Sequence, residues 1–304
     1  MKQRGKILVI RGGAIGDFIL TVPAIAALRR QFPETHIEIL GYPHIAKLAL
    51  AAHLVDEVKS IEAGALAGFF ARNGNLSVEL MTYFAQFDVI ISYLYDPDLI
   101  FQKNVLSCTK AKFIVGPHRP DESKKIHATK LFLRPLEQLA IFGVDEVPRL
   151  NLTTDAPHAA HRLALHPGSG SDKKNWPEAN WVQLIELILS SGDLNLLIVG
   201  GEAEGERLQR LAGALPPTRV TVAQSLPLPD LGRLLQTCIG FVGHDSGISH
   251  LAAAVGLPTL ILWGNSVEEI WRPQGEKVIV TKHVRGLNAL TVEQVIEELN
   301  RLLA

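Results

Sequence analysis

Short runs of apolar, β-branched residues alternate along the whole chain with segments of helical periodicity. This alternation is typical of parallel β-sheets whose strands are joined by crossover helices. The runs fall into an early and a late series. The predicted strands are Lys6–Arg11, His36–Leu40, Glu57–Ile61, Phe87–Leu94 and Lys112–Val115, and then Arg162–His166, Leu194–Val199, Arg219–Val222, Ile239–Gly243, Thr259–Trp263 and Lys277–Thr281. The sequence therefore predicts two doubly wound α/β sheets.

A segment between the two series, residues 145–161, contains Pro148, Pro157 and several small polar residues, which suits a linker. The chain has 304 residues, enough for two domains of about 150 residues. We therefore expect one Rossmann-like domain over residues 1–157 and a second over residues 158–304. Thr291 and Gln294 have capping-box spacing, which predicts a last helix running to residue 304.

Charge and composition restrict the classes of partner. The 30 basic and 31 acidic side chains nearly cancel, so the whole molecule has no field to attract nucleic acid or an anionic membrane. The longest apolar run, residues 251–263, is interrupted by Pro258 and is too short to span a bilayer of about 30 Å. Cys108 and Cys238 form no metal-binding or redox pattern. We expect a soluble cytoplasmic protein.

The first predicted strand ends in Arg11-Gly12-Gly13-Ala14-Ile15-Gly16-Asp17, a glycine-rich turn before a helix. Open α/β sheets bind ligands at this edge. A dinucleotide fingerprint would read G-x-G-x-x-G, whereas Asp17 occupies the anion position that a pyrophosphate would need. This disfavours an NAD-linked oxidoreductase. Asp17 is either a helix cap alone or also a general base.

The second series opens with Leu165-His166-Pro167-Gly168-Ser169-Gly170-Ser171-Asp172-Lys173-Lys174-Asn175-Trp176-Pro177. A strand leads here into a loop of glycines, hydroxyls and lysines and then into a helix. These groups can neutralise and hydrogen-bond a diphosphate, and the alternative is a solvated polar loop. The next strand ends close to Glu202, whose carboxylate is either a surface cap or a ligand for two ribose hydroxyls.

A polar cluster, Gly243-His244-Asp245-Ser246-Gly247-Ile248-Ser249-His250, lies at a third strand-to-helix junction in an otherwise apolar region. Side-chain oxygens and free backbone N–H groups converge at such a junction. His250 is placed about one turn inside the helix, where it is either structural or functional. Asp96-Pro97-Asp98 matches the D-x-D pattern of metal-binding glycosyltransferases, but it follows a strand of the first series, and we interpret it as a loop.

Three segments together resemble glycosyltransferase family 9, which includes the heptosyltransferases of the lipopolysaccharide inner core. They are R-G-G-A-I-G-D-F-I-L-T-V-P, H-P-G-S-G-S-D-K-K-N-W-P and G-H-D-S-G-I-S-H-L-A-A-A-V-G-L-P-T-L. The resemblance covers nearly the whole chain. It implies a GT-B fold of two Rossmann-like domains facing a central cleft, with an acceptor-side N-terminal domain and a donor-binding C-terminal domain. It also implies an inverting transfer that needs neither metal nor cofactor.

The resemblance further implies a nucleotide-diphosphate sugar donor, usually ADP-heptose, and a lipopolysaccharide-core or other saccharide or glycolipid acceptor. Asp17 matches the general base. The donor-binding positions are Ser169, Gly170, Lys174, Glu202, Leu226, Asp245, Ser246, Gly247 and His250. Action at the inner face of the inner membrane would involve at most a peripheral association.

Lysine and arginine predominate over residues 103–134, where Lys124 and Lys125 are candidates for binding an anionic acceptor, although a solvated surface explains them as well. Two other functions fit a fold of this kind. A nucleotide-sugar epimerase would need no acceptor, and a nucleotide-sugar binding protein would perform no chemistry.

Overall fold

A computed structural model describes residues 5–153, 161–171, 174–201, 205–213 and 215–304. The chain divides into two compact units, Met1–Glu146 and Val147–Ala304. Residues 147–153 cluster with the second unit because Leu150 and Leu152 are buried there, and the N–H of Leu150 donates to the carbonyl of Ala254. The expected boundary between residues 157 and 158 lies outside the described residues.

The first unit is a five-stranded parallel sheet with helices between its strands. In chain order its elements are β1 (Lys6–Arg11), α1 (Ile15–Ile19), α2 (Val22–Gln31), β2 (His36–Gly41), α3 (Pro43–Ala51), β3 (Glu57–Ser60), α4 (Val78–Phe84), β4 (Val89–Ser92), α5 (Ile100–Leu106), β5 (Lys112–Val115) and α6 (Ala128–Leu133). Short 3-10 segments lie between β3 and α4, between β5 and α6, and after α6.

The second unit contains a six-stranded parallel sheet. Its elements are β6 (Arg162–His166), α7 (Glu178–Ser191), β7 (Asn195–Gly200), α8 (Gly205–Ala212), β8 (Val220–Gln224), α9 (Leu228–Gln236), β9 (Gly240–His244), α10 (Gly247–Ala254), β10 (Thr259–Leu262), α11 (Glu268–Trp271), β11 (Val278–Thr281) and α12 (Val292–Leu303). We call the segment between β6 and α7 the β6 loop.

The order of strands fixes where a ligand can bind in each unit. The first sheet has the order β3-β2-β1-β4-β5 and the second has β11-β10-β9-β6-β7-β8. The direction of winding therefore reverses between β1 and β4 and again between β6 and β9. Such switch points leave a crevice at the carboxyl ends of the strands. The turn after β1 and the β6 loop each lie at one of these crevices.

All eleven predicted strands are present, with ends shifted by two residues at most in the described structure. Central strands such as β1 and β9 are almost wholly buried because helices cover both faces of a parallel sheet. The predicted capping box is also present: Thr291 accepts from Gln294 N–H, and the Gln294 side chain accepts from Thr291 N–H. Among the described residues, the helices are too short or too polar to cross a membrane.

Candidate functional site

The turn after β1 presents Asp17 at the carboxyl edge of the first sheet. Asp17 is the third residue of α1, and its Oδ2 accepts a 3.1 Å hydrogen bond from the N–H of Ala14. Gly13 has a φ of 96°, and a Cβ there would approach Asp17 Oδ2 to 2.9 Å, so this position requires glycine. The Asp17 side chain remains 29% exposed. The carboxylate therefore caps its helix and also reaches solvent.

A buried cation, Arg11, lies behind Asp17. Arg11 is 2% exposed; its Nη2 donates to the Asp17 carbonyl at 3.1 Å and lies 4.0 Å from Asp17 Oδ1. Its Nη1 donates to the carbonyl of His118 at 3.0 Å, and its guanidinium carbon lies 4.5 Å from the centre of the Phe132 ring. Burial is the main cause that lowers the pKa of Arg11, and Asp17 acts in the opposite direction. A fixed positive charge thus lies behind the Asp17 carboxylate.

A cavity of about 220 Å³ opens at the carboxyl ends of β4 and β5. Its wall includes Tyr95, whose ring is 70% exposed and lies 4.6 Å from the imidazole of His118. Burial, followed by Arg11 and Arg119, lowers the pKa of His118. Because the His118 carbonyl accepts from Arg11, this wall of the cavity is connected to the turn that carries Asp17.

Each aspartate of Asp96-Pro97-Asp98 has a separate structural partner. Asp96 accepts from the N–H groups of Phe101 and Gln102, at 3.2 and 2.9 Å, and so caps α5. Asp98 forms an exposed ion pair with Arg72 at 3.2 Å. This geometry favours the loop interpretation over a shared metal site.

The described residues include one His/Glu group with ligand atoms close enough to hold a metal ion, formed by His36, Glu38 and Glu57 within 4.8 Å. The ammonium of Lys59 lies 3.7 Å from Glu38 and 3.6 Å from Glu57, so a cationic side chain already offsets part of the negative charge of these carboxylates. His36 begins β2 and Glu57 begins β3. The group is therefore at the amino ends of the strands, whereas Asp17 follows a carboxyl end.

The β6 loop is held in shape by its own hydrogen bonds. Ser169 is 7% exposed; its Oγ donates to the Ser171 carbonyl at 2.8 Å and lies 2.8 Å from Asn175 Oδ1. The N–H of Lys174 donates to the same carbonyl at 2.9 Å. A Cβ built on Gly170 meets nothing within 4 Å. Ser169 therefore shapes the loop from inside, while Gly170 borders open space.

An ion pair joins the β6 loop to the end of β9 across the switch point. Lys174 Nζ lies 2.6 Å from Asp245 Oδ2, and Ser266 Oγ donates to the same oxygen at 2.5 Å. The Lys174 side chain is 42% exposed and that of Asp245 is 9% exposed. The fold thus brings together two predicted donor-binding residues that are 71 positions apart in sequence. The result is a partly exposed lysine whose ammonium is held by a buried carboxylate.

The N-terminus of α10 begins directly after Asp245. Ser246 is its N-cap and accepts from the N–H of Ser249 at 3.4 Å, and Gly247 is its first residue. The first N–H groups of a helix have no intrahelical acceptor and carry partial positive charge. His250 is the fourth residue of α10 and is 5% exposed, so it packs within the domain.

Two buried imidazoles lie at the same switch point, His244 at the end of β9 and His166 at the end of β6. The N–H of Trp176 donates to His244 Nε2 at 2.8 Å, and His244 Nδ1 lies 3.1 Å from the carbonyl of Gly168. Ser246 Oγ lies 3.3 Å from His166 Nδ1. Burial lowers the pKa of His244 to about 4 and that of His166 to about 3. Both imidazoles are therefore neutral at neutral pH.

Of the remaining predicted residues, Leu226, Lys124 and Lys125 lie within the described part of the chain. Glu202 lies outside the described residues. Leu226 follows β8 at the carboxyl edge of the second sheet and is 39% exposed. Lys124 is exposed in the first domain with its Nζ 3.5 Å from Asp121 Oδ2, and Lys125 is an exposed residue with a φ of 48°.

Several residues at these sites were not among the predicted ones, and Arg11, His244 and Ser266 are examples. Arg11 and His244 are polar residues that end buried strands, a position where a charged or imidazole side chain needs a specific partner. That position could have identified both. Ser266 follows β10 in a loop with no distinctive pattern, and only the sheet order shows that this loop lies next to Asp245.

Comparison with known protein sequences identifies the family of this chain. The model of glycosyltransferase family 9 (heptosyltransferase) matches residues 135–298. Lipopolysaccharide heptosyltransferase 1 of Pseudomonas aeruginosa is 34% identical over 149 residues, which make up 49% of this chain and 40% of that protein. The match therefore spans less than half the length of this relative.

Solved structures share the fold. The family 9 glycosyl transferase of Veillonella parvula superposes with a TM-score of 0.79 at 19% identity, covering 100% of this chain and 98% of the other. The ADP-heptose lipopolysaccharide heptosyltransferase II of Escherichia coli gives 0.76 at 18% identity, covering 98% of both chains. At these identities the likeness shows a GT-B fold.

The family match, together with the GT-B fold, defines a protein of the glycosyltransferase class. Because the family model covers more than half of the chain, the chain belongs to glycosyltransferase family 9. The family and the fold class predicted from the sequence are thereby confirmed.

Proposed function

We propose that this protein is an inverting glycosyltransferase that moves heptose from ADP-heptose to a saccharide of the lipopolysaccharide core. One observation carries the proposal: the ammonium of partly exposed Lys174 is held 2.6 Å from buried Asp245, beside the N-terminus of α10. An ammonium and helix N–H groups stabilise the charge of a departing diphosphate. The choice of ADP-heptose is supported by the family resemblance and by the ADP-heptose named for the E. coli structure.

The proposed donor site consists of Ser169, Gly170, Lys174, Glu202, Leu226, Asp245, Ser246, Gly247 and His250. Within this set, Lys174 and Gly247 contact the diphosphate, since the Lys174 side chain is partly exposed and Gly247 begins α10. Ser169 and His250 are buried and support the site by packing and hydrogen bonding. Glu202 holds the ribose hydroxyls, and the backbone at Leu226 meets the adenine.

The reaction follows from the properties of these groups. The Asp17 carboxylate takes the proton of the acceptor hydroxyl while the hydroxyl oxygen forms a bond to the anomeric carbon of the donor sugar. The bond from this carbon to the diphosphate breaks, its electron pair leaves with ADP, and attack opposite the leaving group inverts the anomeric configuration. Arg11 keeps positive charge behind Asp17, at 4.0 Å from Oδ1, and its hydrogen bond to the Asp17 carbonyl holds this turn of the helix in place.

We propose that the first domain binds the acceptor. The cavity with Tyr95 and His118 is suited to a saccharide ring because it combines an exposed aromatic face with polar groups. Lys124 and Lys125 add exposed positive charge for an anionic acceptor.

The proposal includes a reaction without a metal ion or cofactor. Lys174 and the α10 N-terminus supply the positive charge that a divalent cation supplies in other glycosyltransferases, while Asp96 and Asp98 have other partners. The family resemblance also supports a cytoplasmic site of action with at most peripheral association at the inner membrane.

A ligand screen followed by a transfer assay tests the proposed function. We expect ADP-heptose and ADP to raise the melting temperature more than UDP-sugars, because only ligands that bind the folded state stabilise it. ADP-heptose with lipopolysaccharide-core oligosaccharide should then give a glycosylated product and ADP. A sugar altered in the absence of acceptor would instead identify an epimerase. Binding of ADP-heptose without any turnover would identify a binding protein.

A further inference from the structure

His244 connects both ends of the β6 loop to the end of β9. Its Nε2 accepts a 2.8 Å hydrogen bond from the N–H of Trp176, near the end of the loop. Its Nδ1 lies 3.1 Å from the carbonyl of Gly168, near the start of the loop. One side chain therefore spans two loop positions that are eight residues apart.

The two hydrogen bonds determine the protonation of the imidazole. A neutral imidazole has one donor and one acceptor nitrogen. Because Nε2 accepts from Trp176, the proton is on Nδ1, which donates to Gly168. Burial lowers the pKa of His244 to about 4, which agrees with this neutral form.

The surroundings prevent the imidazole from moving away. His244 has no exposed surface, and the Trp181 ring packs edge-on against it at 5.4 Å. The indole N–H of Trp176 donates to the carbonyl of Leu290 at 2.9 Å, and Ser249 Oγ donates to the His244 carbonyl at 2.5 Å. Both partners of the His244–Trp176 hydrogen bond are thus fixed independently.

The same two segments carry the polar groups of the donor site. Asp245 follows His244 directly, and Lys174 lies two residues before Trp176. The His244–Trp176 hydrogen bond and the Lys174–Asp245 ion pair therefore join the same two segments. The hydrogen bond fixes the backbone next to Lys174.

We propose that His244 is a positioning residue for the donor diphosphate, which acts by fixing the β6 loop at Gly168 and Trp176. The inference rests on the proposed function for the identity of the ligand. A fixed loop places Lys174 and the backbone around Gly170 before the ligand arrives, so binding loses less free energy to ordering.

Two substitutions separate the polar contacts from packing. His244→Phe keeps a flat ring and removes both hydrogen bonds, whereas His244→Gln retains an amide that can accept from Trp176. We expect the affinity for ADP, measured by calorimetry, to fall about tenfold or more in His244→Phe and to stay within about threefold of wild type in His244→Gln. Hydrogen exchange of the Trp176 amide, measured without ligand, should accelerate in His244→Phe and not in His244→Gln.

Thr259→Val is the matched control. Thr259 is fully buried in the same domain, and its hydroxyl donates to the Leu257 carbonyl at 2.7 Å, at the start of β10 and away from the β6 loop. This variant should lower the melting temperature and leave ADP affinity and Trp176 exchange unchanged. Equal Trp176 exchange in wild type and His244→Phe would overturn the positioning role, as would equal loss of ADP affinity in His244→Phe and Thr259→Val. A wild type that binds no ADP would instead refute the proposed function.

Discussion

The switch points of the two domains carry the same pair of charges in opposite order. In the first domain an acid, Asp17, is 29% exposed and is backed by Arg11, which is 2% exposed. In the second domain a base, Lys174, is 42% exposed and is backed by Asp245, which is 9% exposed. Each exposed group is held in place by a buried partner of opposite sign that ends a central strand or directly follows one.

In the proposed function, this reversal lets one fold support two tasks. A doubly wound sheet supplies the same crevice in both domains, so the sign of the exposed group decides what each crevice does. An exposed carboxylate can accept a proton, and an exposed ammonium can hold an anion. The comparison therefore predicts that substitutions in the first crevice affect turnover and that substitutions in the second affect ligand binding.

The largest expected effect tests the first crevice. Asp17→Asn keeps an oxygen that can accept from Ala14 N–H but removes the basic carboxylate, so turnover should fall by about 10²–10⁴-fold, the usual contribution of general base catalysis. Donor affinity should stay within a few-fold. Asp17→Ala, which also deletes the cap, should lower the free energy of unfolding by about 0.5–2 kcal/mol more than Asp17→Asn. Normal turnover in folded Asp17→Asn would show that Asp17 is a cap alone.

The second expected effect tests the opposite crevice. Lys174→Ala should weaken the binding of ADP and of ADP-heptose by about 1.5–3 kcal/mol each, since a charged hydrogen bond to phosphate is lost. Calorimetry with both ligands measures this. Lys282→Ala is the control, because Lys282 is exposed in the same domain and pairs with Glu268 at 2.8 Å. If both variants bound equally well, Lys174 would have no part in the donor site.

The buried histidines make the second domain sensitive to acid. The pKa values of about 4 for His244 and about 3 for His166 lie below the ordinary 6.5, so between pH 6.5 and 4 the unfolded chain binds protons that the folded chain does not. Stability should therefore decrease as pH falls through this window, by about 1.4 kcal/mol per pH unit for each histidine. Arg207 also opposes the protonation of His244, while the Gly168 carbonyl and Asp245 favour it. His244 in turn opposes the protonation of His166.

The distribution of aromatic residues allows the two domains to be followed separately. All four tryptophans lie in the second domain and all four tyrosines in the first. We expect the denaturant midpoint measured by tryptophan fluorescence to decrease as the pH is lowered from 6.5 to 4. The dependence of this midpoint on pH should be weaker in His244→Gln. His44→Gln, at an exposed site of the first domain, should leave this dependence unchanged. A tryptophan midpoint that did not respond to pH in this window would contradict the neutral, buried imidazoles.

A smaller effect concerns the acceptor. Replacing Lys124 and Lys125 with alanine should raise the Michaelis constant of an anionic acceptor by about two- to fivefold and flatten its salt dependence, because exposed charges act through a screened field. The pair Arg30→Ala and Lys47→Ala removes the same charge from other exposed positions of the first domain. Identical salt profiles for the two double variants would favour a solvated surface.

The strand pattern predicted the fold well because apolar periodicity and glycine-rich strand ends are local features. It also located Asp17, Lys174 and Asp245 at carboxyl edges. It could not show that Arg11 lies behind Asp17 or that Lys174 meets Asp245 across 71 positions, because those contacts depend on strand order. The polar residues at the ends of β1 and β9 are visible in the sequence as candidates for a site. The residues that they contact can be identified only from the three-dimensional structure.

The smallest expected effect is the response to chelation. If Lys174 and the α10 N-terminus supply the positive charge at the diphosphate, turnover should not change in excess EDTA. The first domain offers no competing metal pair at Asp96 and Asp98, since Asp96 caps α5 and Asp98 pairs with Arg72. Asp98→Asn should accordingly leave turnover unchanged with and without EDTA. Loss of activity in EDTA, recovered with magnesium or manganese, would break the comparison between the two crevices, because a cation other than Lys174 would then be required.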